Sequence, residues 1–552
     1  MKKMLAGTAI AHAIAREGVE QVFLVPGESL LTILNGLYDQ SSVNVVAARH
    51  ENGASYMALG YAIASGKPGV CMAQRGPGST NLSLGLHCAS QDSAPVVAFV
   101  TQVGSSSMGR EAHQETDLAR MLQPHCKTVL ELMKADRAVE LTERAFQIAK
   151  EGRPGVVAVV MPQDLLLEEA AFNFAAVSQP ATPGLPADDA TEVCKLLEAA
   201  RYPALLVGGG VGRAGAASEI ITLAELLGCP ILSWHMGVVP DNHPQRVDVA
   251  GLRSKEHLSK VDLFVVIGSR LHEDASLLYT IPPRGTPWVH IDMRPGVAYA
   301  PEPPILSIVA NARRAAMALI GELRNKPVEK SLLHERQLWV KSWRKGETVD
   351  LVIPEPHSNS PIHPDHLGRV LAEVFPADTA VSVDVGNFVY WVRRHWRHRP
   401  ANMFFESAAG SMGSGFSTAI GVQLARPDKL VVGIAGDGGF MMSLPELETA
   451  ARLRLPIICV VFNNDLYGTI RWQQELHFPK RSIATEITNP DFAEVARSFG
   501  AFGERVENVN ELVPSLKRAI GSQKLAVLNV MTDPNELVPG VTLRQLRDSV
   551  HN

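Results

Sequence analysis

The sequence predicts an α/β protein of three doubly wound parallel-sheet domains in a row. Short β-branched runs that are apolar throughout recur along the chain, separated by longer amphipathic stretches. Strands without an apolar–polar alternation are buried on both faces, as in a parallel sheet covered by helices. The 552 residues also outrun a single core, which stops growing near roughly 250–300 residues. Two stretches rich in proline and small polar residues, "SQPATPGLPADDAT" (178–191) and "IPEPHSNSPIHPD" (353–365), read as linkers. They divide the chain into about 1–177, 190–345 and 360–552.

The elements follow in order. In "MKKMLAGTAIAHAIAREGVE", Arg16, Glu17 and Glu20 interrupt the apolar residues, which recur at helical spacing. The stretch therefore reads as an amphipathic first helix, not a signal peptide. The first piece then offers the strands "VEQVFLV", "VNVVAAR", "GVCMAQ", "APVVAFV" and "GVVAVVM". The second offers "PALLVGGG", "CPILSW", "LFVVIG" and "WVHID", and the third "TAVSVDVG", "KLVVGIAGDG", "PIICVVFNN" and "LAVLNVM". In such sheets ligands sit at the carboxyl ends of the strands.

Composition narrows the function. The net charge of −5 comes with no long run of either sign, so nucleic acid and anionic membrane surfaces find no footprint. Cys71, Cys88, Cys126, Cys194, Cys229 and Cys459 are scattered and form no C-x-x-C pair. That argues against a disulfide framework or a zinc site and suits a reducing cytosol. No apolar stretch approaches the ~20 residues that span a bilayer. The expectation is a soluble, cytoplasmic protein.

Two strand ends carry the chemistry. "KLVVGIAG" closes in Asp437 between glycines, and "PIICVVF" closes in Asn463-Asn464, with the helical pattern "SLPELETAARLRL" between them. A right-handed crossover sets the two ends side by side at one sheet edge. Asp437 and Asn464 offer hard oxygens that suit Mg²⁺ or Ca²⁺, and Mg²⁺ completes its shell with phosphate. Gly436, Gly438 and Gly439 let backbone approach closely, and a helix opening near Ser443 turns free N–H groups toward an anion. Each fragment alone reads as a turn or an Asx-rich loop end. Together they make a site for a metal and a diphosphate.

The order "GDG", 24 residues, "NN" resembles the thiamine diphosphate (ThDP) motif of the ThDP-dependent decarboxylases and carboligases. The resemblance implies that Asp437 and Asn464 hold Mg²⁺ with the Leu466 carbonyl, and that Gly436, Gly438, Gly439, Tyr467, Gly468, Thr469 and Ile470 line the cofactor. "ARHENGASYMALGYAIASGKPGV" (48–70) is similar to the family segment whose glutamate, here Glu51, activates the aminopyrimidine ring. Glu51 follows an apolar strand and opens a helix in apolar company, surroundings that suit an acid relaying a proton. "VPGESLLTIL" (25–34) implies Pro26 and Gly27 against the pyrimidine, and "RGPGSTN" (75–81) implies Asn81 beside it. "HQETD" (113–117) makes Gln114 an active-site amide, and "AAGSMGSGFSTAIG" (408–421) puts the Gly410 carbonyl and the Met412 wedge on the cofactor. "DVGNF" (384–388) brings Gly386, Asn387 and Phe388 to the diphosphate, where the family more often has Gln-His.

The resemblance covers nearly the whole chain as pyrimidine-binding, central and diphosphate-binding domains, and it is closest to the acetolactate synthase (acetohydroxyacid synthase) branch. It implies decarboxylation of a 2-oxo acid, pyruvate foremost, with ligation to a second carbonyl compound. It also implies a homodimer at least, commonly a tetramer. Departures concern the substrate. Thr469, Ile470 and Gln473 stand in "YGTIRWQQ" where biosynthetic members have Met, Val and Trp, and His113 replaces a Phe before Gln114. In the central piece, Gly210-x-Gly212-x-x-Gly215 reads as a tight strand-to-helix turn. FAD is the less favoured reading there, because the family's "RFDDR"-like segment is "RLHEDAS" (270–276). Another 2-oxo acid decarboxylase, a C–C lyase, a sulfoacetaldehyde-type acetyltransferase and a non-catalytic ThDP-binding regulator stay open, as does a regulatory subunit.

Overall fold

The computed structural model describes residues 2–174, 176–177, 179–233, 238–240, 242–247, 254–294, 296, 300–347, 360–396 and 403–548. These form two compact units, one drawn from 1–180, 356–395 and 405–552, the other from 181–355 and 396–404. The first predicted linker is irregular as far as Pro186, where the helix Ala187–Ala199 begins. The second lies outside the described residues up to position 359.

The first unit holds two six-stranded sheets. The N-terminal one runs Asn44–Ala47, Gln21–Leu24, Gly69–Ala73, Val96–Gln102, Val157–Pro162, Thr128–Glu131, with every neighbour parallel. The C-terminal one runs Phe404–Glu406, Ala380–Val383, Val431–Gly436, Ile458–Asn463, Ala526–Met531, Phe502–Val506, parallel from its second strand onward. Numbered along the chain, both sheets read 2-1-3-4-6-5. The two halves thus repeat one winding. Central strands such as Val96–Gln102 are buried at every position, which is why they read as continuous apolar runs. The edge strands Thr128–Glu131 and Phe502–Val506 are half-exposed, carry charges and went unpredicted. The amino end also differs from the expected helix. Lys2–Leu5 is a strand antiparallel to Glu169–Phe172, and the helix starts only at Ala6.

Each winding sends a helix back from its second strand, Glu51–Ser65 in one and Ser414–Ala425 in the other, and these two pack together. Glycines permit the contact. A Cβ on Gly60 would lie 2.3 Å from the Thr418 carbonyl oxygen, and one on Gly421 only 2.0 Å from that of Met57.

The second unit holds the third parallel sheet, ordered Arg246–Val247, Ile231–Leu232, Pro203–Val207, Leu263–Ile267, Trp288–Asp292, Leu306–Val309. This 3-2-1-4-5-6 order is that of dinucleotide-binding folds. Its glycine-rich turn is tight for a packing reason, since a Cβ on Gly210 would meet Gly268 Cα at 2.7 Å. The guanidinium of Arg336, wholly buried, donates to the carbonyls of Leu197, Ala200 and Leu227, so it closes two helix ends at once.

Candidate functional site

The two strand ends lie where the crossover argument placed them. Gly436 pairs with Phe462 in adjacent parallel strands, so Asp437 and Asn464 leave neighbouring strand ends on the same edge. The intervening helix differs from expectation. It begins at Asp437 itself and runs to Ser443, with a second helix over Glu446–Arg452. Asp437 therefore sits at a helix start and is 3% exposed. Burial pushes its carboxyl up to about 6, while backbone N–H groups of Gly438, Asp465 and Asn464 oppose the shift.

Its hydrogen-bond donors are neutral: the Gly438 N–H at 2.8 Å and Asn489 Nδ2 at 3.0 Å. Asn489 also donates to Asp465 at 2.9 Å, so one side chain braces both ends of the motif. Among the described residues no cationic side chain pairs with Asp437. A buried carboxylate without a counter-ion is the donor chemistry that a divalent cation meets.

The two asparagines differ in task. Asn463 is buried and donates to Asn529 at 3.0 Å, which fixes the strand end. Asn464 is half-exposed, and its Oδ1 accepts from the Leu466 N–H at 3.2 Å. Asp465, at φ +54°, makes the turn after them that carries the chain to Leu466 and Tyr467. Gly468 opens the helix Gly468–His477 against the Asn387 side chain. Thr469 follows with a buried hydroxyl that has no partner among the described residues, and Ile470 is 52% exposed. A buried carboxylate without a cationic partner among the described residues, at the strand end, fits a charged or polar group bound at this edge.

Met412 and Tyr467 converge on Gly438, where a Cβ would stand 3.3 Å from the Met412 methyl and 2.6 Å from the Tyr467 ring. Gly410 is left-handed at φ +64° and exposed. The Met412 segment is held from below by Asp384, both of whose oxygens accept from the Gly413 N–H at 3.0 Å. It is held from the side by Tyr56, whose hydroxyl meets that of Ser411 at 2.7 Å. Gly386 and Gly436 both face the Phe388 ring, which is buried against Phe462. The Asn387 amide is committed to the Leu537 carbonyl at 2.6 Å.

The N-terminal half gathers the other predicted residues at its own strand ends. Glu51 is half-buried, less enclosed than its apolar sequence context suggested, and its Oε2 accepts from Asn81 Nδ2 at 2.9 Å. Gln74 organises the neighbourhood. Its Oε1 accepts from the Ser29 N–H at 3.1 Å, its side chain fills the space a Cβ on Gly27 would need, and its Nε2 donates to Gln114 Oε1 at 3.2 Å. Gln114 adopts φ +65°, Pro26 is exposed beside Gly27, and His113 is exposed. Gln74, Asp384, Glu446 and Asn489 were not singled out from sequence. Gln74, Asp384 and Glu446 lay inside quoted stretches without being picked out, and Asn489 lay outside all of them.

Three family models match in chain order: the N-terminal TPP binding domain over 4–121, the central domain over 190–319 and the C-terminal TPP binding domain over 384–530 of thiamine pyrophosphate enzymes. The chain is 32% identical to the acetolactate synthase isozyme 2 large subunit of Escherichia coli, over 96% of each protein. It is 30% identical to a probable acetolactate synthase large subunit of Methanocaldococcus jannaschii, over 98% of this chain and 93% of that one. A Mycobacterium bovis acetolactate synthase matches at 30% over 94% of this chain and 86% of its own. With the matched order of domains and the paired strand ends at Asp437 and Asn464, the chain belongs to the thiamine pyrophosphate enzyme family and is an acetolactate synthase-like, ThDP-dependent enzyme.

Proposed function

We propose that the enzyme is Mg²⁺-dependent, decarboxylates a 2-oxo acid, pyruvate foremost, and ligates the remaining fragment to a second carbonyl compound. The observation that carries the reading is the buried Asp437 carboxylate, without a cationic partner, beside Asn464 at one sheet edge. In this reading residues 1–177 bind the pyrimidine, 360–552 bind the diphosphate, and 190–345 form the central domain. Asp437, Asn464 and the Leu466 carbonyl hold the metal, and Gly436, Gly438 and Gly439 keep side chains out of the diphosphate's path. Bound ThDP supplies the electron sink for carbon–carbon cleavage.

The protein's own residues do the rest. Glu51 holds and returns a proton at the pyrimidine ring, and Asn81, donating to its Oε2, keeps its carboxylate oriented. Gln114, fixed by Gln74, offers its amide to the substrate, and His113 lies next to it. Met412 shapes the cofactor's bend, and the exposed Ile470 covers the reacting side and excludes water. We propose a homodimer as the working unit and a homotetramer as the assembly, in the cytoplasm. FAD in the central domain is the less favoured reading, since the glycine-rich turn there is tight for a packing reason. Among the described residues no helix is long and apolar enough to cross a membrane.

The test is pyruvate consumption by the purified protein with and without ThDP and Mg²⁺, with the product identified. Acetolactate formed only with both supports the reading. Glu51→Gln should still bind ThDP while losing roughly 10²–10⁴-fold in rate, the usual contribution of a positioned acid–base group. Pyruvate left untouched by protein that binds ThDP sinks the substrate assignment. A sulfoacetaldehyde-type acetyltransferase is the second reading, favoured by Thr469 and its unpartnered hydroxyl where relatives of the biosynthetic type carry Met.

A further inference from the structure

Glu446 opens the helix Glu446–Arg452, yet its carboxylate serves another part of the fold. It is 1% exposed. Oε1 accepts from the backbone N–H groups of Arg49 at 3.2 Å and His50 at 3.0 Å. Oε2 accepts from Arg49 at 3.3 Å and from the Thr449 hydroxyl at 2.6 Å. Arg49 and His50 immediately precede Glu51, and His50 is the N-cap of the helix Glu51–Ser65.

In a capping box the N-cap N–H is satisfied by a glutamate at the third helical position, reaching back over one turn. Here that position is Gly53, and a Cβ on it would lie 2.3 Å from Glu446 Oε1. The glycine empties the local capping place, and a carboxylate from nearly four hundred residues away fills it. His50 completes the cap from its own side, its Nδ1 accepting from the Asn52 N–H at 3.2 Å.

The polypeptide that supplies Glu446 continues directly from the helix that begins at Asp437. One short stretch thus carries the predicted metal ligand at one end and the clamp on the predicted acid at the other. We propose that Glu446 is a positioning residue for Glu51: its carboxylate fixes the backbone at Arg49 and His50 and thereby aims the acid that handles the cofactor's proton. The proposal rests on the functional reading above. Displacing a reacting group by about 1 Å costs on the order of 10²-fold, so loss of the clamp is visible in a proton-transfer rate.

The experiment uses the full-length enzyme and two readouts. In cofactor-free protein, hydrogen–deuterium exchange at the amides of Arg49 and His50 reports the clamp itself. In protein loaded with ThDP and Mg²⁺, exchange of the thiazolium C2 proton reports the aim of Glu51. Glu446→Ala should speed amide exchange there about tenfold or more, as loss of roughly 1.4 kcal/mol does. It should slow C2 exchange about 100-fold, with ThDP affinity changed less than about threefold. Glu446→Gln keeps an acceptor oxygen for both N–H groups and should recover most of both effects. Where Glu446→Ala does not fold, Glu446→Asp, one methylene shorter, is read in the same two assays.

Faster amide exchange with unchanged C2 exchange overturns the proposal and leaves Glu446 a structural cap. Unchanged amide exchange overturns it as well. A wild-type chain that binds no ThDP overturns the functional reading and this one with it, whereas silent variants of a ThDP-binding enzyme overturn this one alone.

Discussion

Gly421→Ala tests the helix contact on which the site depends. The new Cβ would stand 2.0 Å from the Met57 carbonyl oxygen and 2.8 Å from both Met57 C and Tyr61 N. All three are backbone atoms, so no side chain can swing aside. Relief to an ordinary separation near ~3.5 Å parts the helices locally by more than ~1 Å, enough to forfeit up to about half of each affected dispersion contact. Overpacking costs typically about 1–3 kcal/mol, and a backbone obstacle belongs at the upper end. Alanine returns about 1 kcal/mol of helix propensity, leaving a net loss of about 2 kcal/mol. The unit containing this contact has roughly 370 residues, which at about 2.1 cal/mol/K each gives an unfolding entropy near 0.8 kcal/mol/K. The melting temperature should therefore fall by about 3 °C. Gly521→Ala is the matched control, since that helical glycine has nothing within 4 Å of the new Cβ. It should raise the melting temperature slightly, by up to about 1 °C. Calorimetry on both variants decides the matter. Equal shifts in the same direction would refute the argument that Gly421 exists for close approach.

Two further outcomes follow from buried carboxylates. Asp384 is wholly buried, and desolvation pushes its carboxyl up from 3.8 to about 6. Below both values it is protonated folded and unfolded, and costs nothing. Between them the unfolded chain ionises while the folded protein keeps its proton, so stability falls as pH rises, by about 3 kcal/mol in all. Asp384→Asn cannot titrate. Its stability relative to wild type, from urea denaturation, should improve by about 1 kcal/mol between pH 5 and pH 7, and a pH-independent difference would remove the argument. Glu475 has the opposite sign. Burial alone would raise its carboxyl, but hydrogen bonds from Arg547, Ser482 and the Lys480 N–H, with the Arg547 charge, hold it down at about 2. That contribution is fully present above the unfolded value of 4.5, is lost progressively as pH falls below it, and is gone once pH has passed through about 2. At neutral pH a double-mutant cycle of Arg547→Ala with Glu475→Gln should show about 1–2 kcal/mol of coupling, discounted because Arg547 is partly exposed. Coupling near zero would mean that the helix Leu543–Asp548 is not held by this pair.

What the sequence discloses and what it hides follow from where partners lie. Strands such as Val431–Gly436 are legible because both faces are buried, and so is the paired-strand-end motif, because polar Asp437 and Asn464 follow apolar runs at strand ends. The half-exposed edge strand Phe502–Val506, with Glu504 and Arg505 in its middle, offers no such contrast. Glu446 and Asn489 are hidden for a different reason. In sequence, Glu446 is an ordinary acid in a first helical turn, where the macrodipole favours any glutamate. Its partners lie at Arg49 and His50, so only the fold reveals the task. A faint signal exists in Gly53, a glycine one turn into a helix at a cost of about 1 kcal/mol. Such a residue asks what approaches it.

The two halves of the first unit repeat one winding and hold their corresponding helix starts by the same device. Both sheets follow the order 2-1-3-4-6-5, and in both the helix after the second strand packs against its counterpart. Glu51 and Ser414 occupy the same first helical position in the two repeats. Each of these helix starts is held by a buried carboxylate: Glu446 on the N–H groups of Arg49 and His50, Asp384 on that of Gly413. Burial pushes both acids up, against donors that favour the charged form. The two repeats therefore share strand order and the glycine-lined helix contact, while the residues at their first helical positions differ. Parallel α/β sheets place ligands at the carboxyl ends of their strands, and there one repeat presents the carboxylate of Glu51 and the other the hydroxyl of Ser414, each on a helix start held by a buried acid.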